Sequence, residues 1–436
     1  MRQTRPDTHT HRHPHRTRRP DGPPDVAGAA GATDPVSGAA CGYWRRRGLP
    51  TAPDQVVAAP TAALLLLALL AACEGGDGTG CGVVLPRPGP EWHAAQARLL
   101  GRPLHRVPVS AECGGVPDSF ALLETVSRAR AAGGSPRLLL LSVADDVTGT
   151  AAPPELLHEA CEAAAQEGLL VVGDESLRNA FHDPHGTVPV SPAEILHGTG
   201  TGTGTGPDGG TDGGGVRPGP AAESTVVLVD LGADPDPGPC PGSRAGVARL
   251  PATAAGRELA ERTRTVLAAL GAALSGPAAA AAAGILAEPE PLREHRAAAN
   301  RAHGTLAAAL HRTLTRAGAV CRPPQAGRHL YPDFEALRPG LAARGVTDAL
   351  RLEAELVRRL GPYALGGHRF GDDPHALRVR LSTDVLTRGV SPAVTASAAP
   401  TAARSSSASA RGPAEQPGPA GALARVAAAL AGLATG

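Results

Sequence analysis

The sequence predicts an α/β protein: a large domain on a mostly parallel sheet, followed by a smaller α+β lobe. Three observations predict it. The apolar run Arg137–Val143, the helical stretch Pro153–Gln166 and the apolar run Leu169–Val172 follow one another with short connections. A strand, a helix and a strand so joined form a βαβ unit, whose strands must pair in parallel. Thr225–Leu231 and Gly246–Leu250 add further buried strands. Beyond these, helices Pro291–Ala317 and Thr347–Leu360 alternate with strands His329–Phe334 and Ala376–Leu381, which is the smaller lobe.

Within Pro153–Gln166, Leu156, Leu157, Ala160, Cys161 and Ala164 share one helical side. Glu258–Leu274 reads as a further helix. Ala62–Cys73 is a run of twelve apolar residues. A bilayer needs ~20, so this run predicts a buried helix and no membrane span. It lies too far from Met1 for a signal peptide, and no targeting segment is evident.

The expected organisation has four parts. Residues 1–35 are an Arg/His/Pro-rich disordered tail, whose His9, His11, His13 and His15 read as low complexity rather than as a metal site. Residues 41–285 form the large domain, interrupted by a flexible Gly/Thr insertion over 198–224. Residues 286–391 form the small lobe, and 392–436 a low-complexity tail with a short helix, Leu423–Leu433.

Composition narrows the function classes. The formal net charge is +1, which argues against a partner recognised by charge alone, such as nucleic acid or a membrane surface. Aromatic residues make up only 2%, so the core is packed from small and aliphatic side chains. Seven scattered cysteines (Cys41, Cys73, Cys81, Cys113, Cys161, Cys240, Cys321) include no CxxC and no zinc spacing. They read as free thiols in the reducing cytoplasm. All 42 Lys+Arg residues are Arg, and the chain contains no lysine. With two Ile, two Asn and one Met, this usage fits a GC-rich coding sequence.

Several stretches occur in a telling order. Gly42-Tyr43-Trp44 precedes Arg47-Gly48-Leu49-Pro50-Thr51 and Asp54-Gln55-Val56-Val57. Leu85-Pro86-Arg87-Pro88 leads to Ala94-Ala95-Gln96-Ala97 and then Gly115-Val116-Pro117-Asp118. Thr148-Gly149-Thr150, Gly173-Asp174-Glu175 and Gly242-Ser243-Arg244-Ala245-Gly246 follow. Tyr331-Pro332-Asp333-Phe334, Phe370-Gly371 and Ala376-Leu377-Arg378-Val379 close the series. Together they resemble the class I/II pyridoxal-phosphate aminotransferases of fold type I, especially actinobacterial members, over Gly42 to Gly389.

The resemblance implies roles. Asp174 would pair with the protonated pyridine nitrogen, Arg244 would contact the cofactor phosphate, and Arg378 would clamp a substrate carboxylate. Asp146 stands where the family's Asn bonds the pyridine 3-oxygen, and a carboxylate there repels that oxygen. The phosphate turn reads Ala58-Ala59-Pro60-Thr61-Ala62-Ala63, the stacking aromatic falls near Pro90 with Trp92 two residues on, and the family's Tyr is Leu177. The Schiff-base Lys falls near Asp236. Arg cannot replace it, because guanidinium stays protonated and is a poor nucleophile.

Each survivor has a plainer reading. Asp174 reads equally as a cap, Arg244 as a solvated turn residue, and Arg378 as one side of an ion pair. Arg378 and Arg380 should face the same side of a strand. Asp372-Asp373 reads as a polar turn, and His182, Asp183 and His185 have no nucleophile at triad spacing. No catalytic residue and no metal site is assigned.

Three functions stay open. The first is a pseudoenzyme: a homologue with the fold and no covalent cofactor, working as a homodimer or with an active paralogue. The second is an enzyme holding pyridoxal phosphate noncovalently on Asp174 and Arg244 and acting on an amino acid/keto acid pair. The third is a small-molecule-binding module using Arg378.

Overall fold

Alternation along the strands builds a layered core. The computed structural model describes residues 34–73, 81–183, 186–187, 189–194, 224–232, 244–387 and 419–434. The large sheet comprises β1 (Val56–Ala59), β2 (Gly82–Arg87), β3 (Leu104–Pro108), β4 (Pro136–Ser142), β7 (Leu170–Asp174), β8 (Thr225–Asp230) and β9 (Gly246–Arg249). A short antiparallel pair, β5 (Ala144–Asp145) and β6 (Thr150–Ala151), lies between β4 and β7 in sequence. The order across the sheet is β1-β9-β8-β7-β4-β2-β3. Only β9 runs antiparallel to its neighbours.

Successive strand side chains point to opposite faces, so each strand feeds two layers. Val83, Leu85, Leu138, Leu140, Val226 and Leu228 pack against α2 (Ala62–Ala72), α3 (Glu91–Leu99) and α6 (Ala254–Ala269). Val84, Leu139 and Leu141 pack the other way, against α4 (Ser119–Ala131) and α5 (Pro154–Gln166). Val227, Val229 and Val247 meet α1 (Pro35–Arg45) and α7 (Gly276–Ala287). Both faces are covered, which is why the strands read as continuous apolar runs. The twelve-residue apolar run is buried as expected: Leu65, Leu66 and Leu70 of α2 are at most 1% exposed. No helix among the described residues is long and apolar enough to cross a membrane.

The smaller lobe has its own core. Here α8 (Glu290–Arg316) and α9 (Ala349–Leu360) pack on the antiparallel sheet β10-β12-β11, with β10 at His329–Leu330, β11 at Ala364–Gly366 and β12 at Val379–Ser382. Leu352, Leu356 and Leu360 recur every four residues and form the inward stripe of α9. The Asp348 side chain accepts from the Arg351 N–H at 2.8 Å and caps that helix. The C-terminal helix α10 (Pro419–Ala434) buries Ala422, Val426, Leu430 and Leu433 in the same core. This is the helix expected over Leu423–Leu433, seated on the lobe.

Several expectations need correction. Helix α1 begins at Pro35, the last residue of the stretch assigned to a tail, and buries Val36 and Ala40 fully. Helix α7 had no counterpart in the sequence reading, since its Ala-rich segment carries too little hydrophobic contrast to show a period. Helix α6 runs from Ala254 to Ala269 rather than Glu258 to Leu274. The strand expected over His329–Phe334 covers only His329–Leu330, and Pro332 beyond it has no N–H to donate. The strand expected from Ala376 starts at Val379. The N-terminal tail with its four alternating histidines, the insertion apart from Ser224, and residues 392–418 lie outside the described residues.

Straps of backbone join the lobe to the sheet. The Gly149 carbonyl accepts from the N–H groups of Gln325 (2.7 Å) and Ala326 (3.0 Å). Gly149 has φ +70°, and a Cβ there would overlap the His329 carbonyl, so this approach requires glycine. The Gly327 N–H donates to the Ala180 carbonyl (3.0 Å), and the His182 N–H to the Gln325 carbonyl (2.8 Å). The His182 ring also meets the Gly327 carbonyl at 2.9 Å, so this residue serves a structural contact.

Candidate functional site

Strand β7 delivers Asp174 at its carboxyl end, where parallel sheets place ligand groups. The side chain is largely buried, and both oxygens are engaged. Oδ1 accepts from the Ser176 N–H (2.9 Å) and the Ser176 hydroxyl. Oδ2 lies 3.4 Å from Nε2 of His93, which is itself only 3% exposed. Both readings of Asp174 therefore meet: it caps its own turn and it faces a second buried titratable group.

His93 was absent from the sequence reading. It sits on the buried side of α3 with Ala94 and Ala97. A polar residue on an apolar helix stripe was the one available signal. Trp92 beside it packs partly into the core under α2 and meets the His93 ring edge-on at 4.2 Å.

Asp146 follows β5 and reaches the small lobe. Its Oδ1 accepts from His329 Nδ1 at 3.0 Å and its Oδ2 from Arg380 Nη1 at 2.9 Å. Burial raises this carboxyl, but His329 and Arg380 outweigh it and pull it down to about 2. Arg380 also lies over the Phe370 ring, 4.8 Å from its centroid. The Asp146 carboxylate thus clamps the lobe to the sheet. Its contribution is complete above its unfolded value of about 3.9 and is lost as pH falls through about 2. The side chain is 40% exposed, so Asp146→Asn should cost no more than about 1 kcal/mol at neutral pH. Melting temperatures of parent and variant should differ at pH 7 and converge near pH 2; an equal gap at both would refute the clamp.

Arg244 is exposed and lies two residues before Gly246. A Cβ on Gly246 would overlap Ala62, so the Arg244 segment rests on the first turn of α2. Thr61 caps that helix by accepting from the Leu64 N–H at 3.1 Å. Free N–H groups at a helix start favour an anion. Arg244 lies two residues along the chain from this contact, and its side chain packs on Gly232 near the Asp230 carboxylate. Asp230, at the end of β8, is pushed up by burial and by the nearby Asp174. The residues around Asp236 lie outside the described residues.

Comparison with known proteins gives this arrangement a family context. Residues 39–188 match the model for aminotransferase class I and II. The aspartate aminotransferase of Rhizobium meliloti superposes with a TM-score of 0.65 at 16% identity, covering 92% of this chain and 83% of that one. The N-succinyldiaminopimelate aminotransferase of Mycobacterium tuberculosis gives 0.64 at 19% identity, covering 91% and 83%. The Thermus thermophilus aspartate aminotransferase with maleate gives 0.62 at 17%, covering 91% and 81%. No curated protein matches. The chain has the class I and II aminotransferase fold. At this identity the solved structures speak for fold alone.

In this aminotransferase fold, Arg378 is held in place by carboxylates. Its Nε donates to Asp333 Oδ2 (2.8 Å) and its Nη1 to Asp372 Oδ2 (3.1 Å). Asp372, read from sequence as part of a turn, also accepts from the Tyr331 hydroxyl at 3.1 Å. Of the two roles open for Arg378, the ion pair is the one its contacts fill. Arg378 immediately precedes β12 and Arg380 lies on it, and the two take different partners.

Arg378 lines a cleft of about 310 Å³ with Val109, Ser110, Asp145, Thr148 and Tyr331. Asp174, Asp146 and Arg244 do not line it. Asp145 is fully buried, and burial pushes its carboxyl up despite a 2.7 Å bond from the Thr148 hydroxyl. Leu177 packs against Ala144, Phe181 and Ala326. No group of three or more metal-ligating side chains occurs among the described residues.

Proposed function

We propose that this chain is a non-catalytic homologue of the class I/II aminotransferases. One observation carries the reading: none of the 436 residues is lysine. An internal imine with a cofactor aldehyde needs an uncharged primary amine, and no side chain here supplies one. The contacts of Asp146 support it, since both its oxygens are spent on His329 and Arg380. Those of Asp174 do too, with one oxygen on Ser176 and the other facing His93. Pyridoxal phosphate is the cofactor expected of the family. By resemblance Arg244 would meet its phosphate, but no residue present suits its aldehyde, and Asp146 does not suit its ring oxygen. The test is a visible-region titration of the folded chain with pyridoxal phosphate. A spectrum equal to free cofactor at every concentration is expected; a saturable shifted band would revive the enzyme reading.

The Arg244 corner favours a second reading, noncovalent capture of a phosphorylated ligand. Displacement of a labelled pyridoxal phosphate by inorganic phosphate would support it, and no retention of label would remove it.

The reading extends to assembly and place. Family resemblance supports a homodimer, or a heterodimer with an active paralogue, and the scattered thiols support the cytoplasm. Light scattering on the purified chain should give twice the chain mass of 43.8 kDa. The mass of a single chain would remove the homodimer.

A further inference from the structure

Cys73 and Cys81 flank the segment between α2 and β2. Cys73 is the residue that ends α2, its N–H donating to the Leu69 carbonyl at 3.0 Å. Cys81 immediately precedes β2 and is fully buried. Both belong to the same apolar cluster between α2 and the sheet, Cys81 within it and Cys73 at its margin. There the two thiols come within reach of each other and influence one another's ionisation. Arg102 braces this corner: its Nη2 donates to the carbonyls of Leu70 (3.2 Å) and Cys73 (2.8 Å). Seven residues separate the two cysteines in the chain.

We propose that Cys73 and Cys81 form an oxidisable pair that closes to a disulfide under hydrogen peroxide. Cys73 beside it and the charges of Arg102 and Arg137 favour the ionised form of Cys81, which we assign as the attacking sulfur. The Cys81 thiolate attacks one peroxide oxygen, the O–O bond breaks, and hydroxide leaves and takes the proton. The resulting sulfenic acid sits against Cys73. The Cys73 sulfur then attacks the Cys81 sulfur, the S–O bond breaks, and the departing hydroxide takes the Cys73 proton as water. Two thiols and one peroxide give one disulfide and two waters; sulfur loses two electrons and peroxide gains them. A dithiol reductant restores the pair.

The other described thiols lack such a partner. Cys161 sits in an apolar layer that pushes it up to about 12. Cys113 meets the Ser110 hydroxyl, and Cys321 meets the Arg322 carbonyl. They serve as internal controls.

The experiment treats the folded full chain with hydrogen peroxide, unfolds it, alkylates the thiols and weighs the peptides. The count of alkylated thiols should fall from seven to five, with the loss confined to the peptide carrying both cysteines, and dithiothreitol should restore seven. Cys73→Ser and Cys81→Ser should each abolish the disulfide, while Cys161→Ser should keep it. Circular dichroism of each variant separates a lost bond from a lost fold. Seven alkylated thiols after treatment, or a disulfide to any other cysteine in the parent, would overturn the pair.

Discussion

Borohydride reduction after incubation with pyridoxal phosphate is expected to leave every internal peptide of this chain at its unmodified mass. Borohydride fixes an imine as a secondary amine, and an imine needs a primary amine. Among side chains only lysine offers one that loses its proton readily, and the sequence has none. The α-amino group of the first residue is the single remaining primary amine of the sequence. The same reasoning sets the expected activity. Without an amine to capture the cofactor and relay the proton, a half-reaction with any amino acid should be slower than in a working aminotransferase by roughly four powers of ten, about 5.4 kcal/mol of barrier. The measurement is a stopped-flow absorbance trace on chain, cofactor and amino acid, compared with cofactor and amino acid alone. Identical traces are expected. A chain-dependent acceleration that saturates with amino acid would show that catalysis survives without lysine.

Replacing Arg178 by methionine should cost about 3–5 kcal/mol of stability, because it strands a buried carboxylate. Glu175 follows Asp174 directly and its side chain is 1% exposed. Arg178 reaches it at 3.1 Å through Nη1 and reaches Glu194 at 2.8 Å through Nη2. Burial pushes the Glu175 carboxyl up, and Arg178 is the largest opposing influence. A carboxyl raised in the fold favours the folded state below its unfolded value, and that contribution is lost as pH rises through the folded value. Losing Arg178 widens that shift. The deficit of Arg178→Met should therefore be largest near pH 7 and smaller near pH 4, read from urea midpoints at each pH. Arg178→Met combined with Glu175→Gln should recover part of the loss, since the deeply buried charge is then gone and only the more accessible Glu194 lacks its arginine. A deficit under 1 kcal/mol, or one independent of pH, would mean that water reaches Glu175 and the pair is not buried in solution.

Much of the fold was legible because it rests on local periodicity. The runs Arg137–Val143 and Leu169–Val172 had to be strands covered on both faces, and Leu138, Leu139, Leu140 and Leu141 do alternate between the two helical layers. The stripe on α9 was equally plain. What stayed hidden was non-local or chemically monotonous. Nothing in Gly246–Leu250 reveals that this strand inserts antiparallel between β1 and β8, since pairing partners are chosen by the packing of the whole sheet. The Ala-rich α7 shows no stripe, because alanine contrasts too little with its neighbours.

The site divides along the same line. The missing lysine is a fact of composition, and it limits the chemistry whatever the fold does. The position of Asp174 at a strand end was also readable, because it follows from one apolar run and its length. Which charges meet was not. Asp146 takes His329 and Arg380, residues some 180 and 230 positions away, while Arg378 takes Asp333 and Asp372. Two arginines two residues apart in the sequence, Arg378 and Arg380, were equivalent on paper. Their partners depend on how the lobe docks through Gly149 and Gln325. The sequence by itself determined the layers of the fold and the absence of an imine-forming side chain, since periodicity and composition are local properties. The tertiary structure alone decided the pairing of His93 with Asp174 and of Asp146 with the lobe, because ion pairs form between groups that packing, and not chain order, makes neighbours.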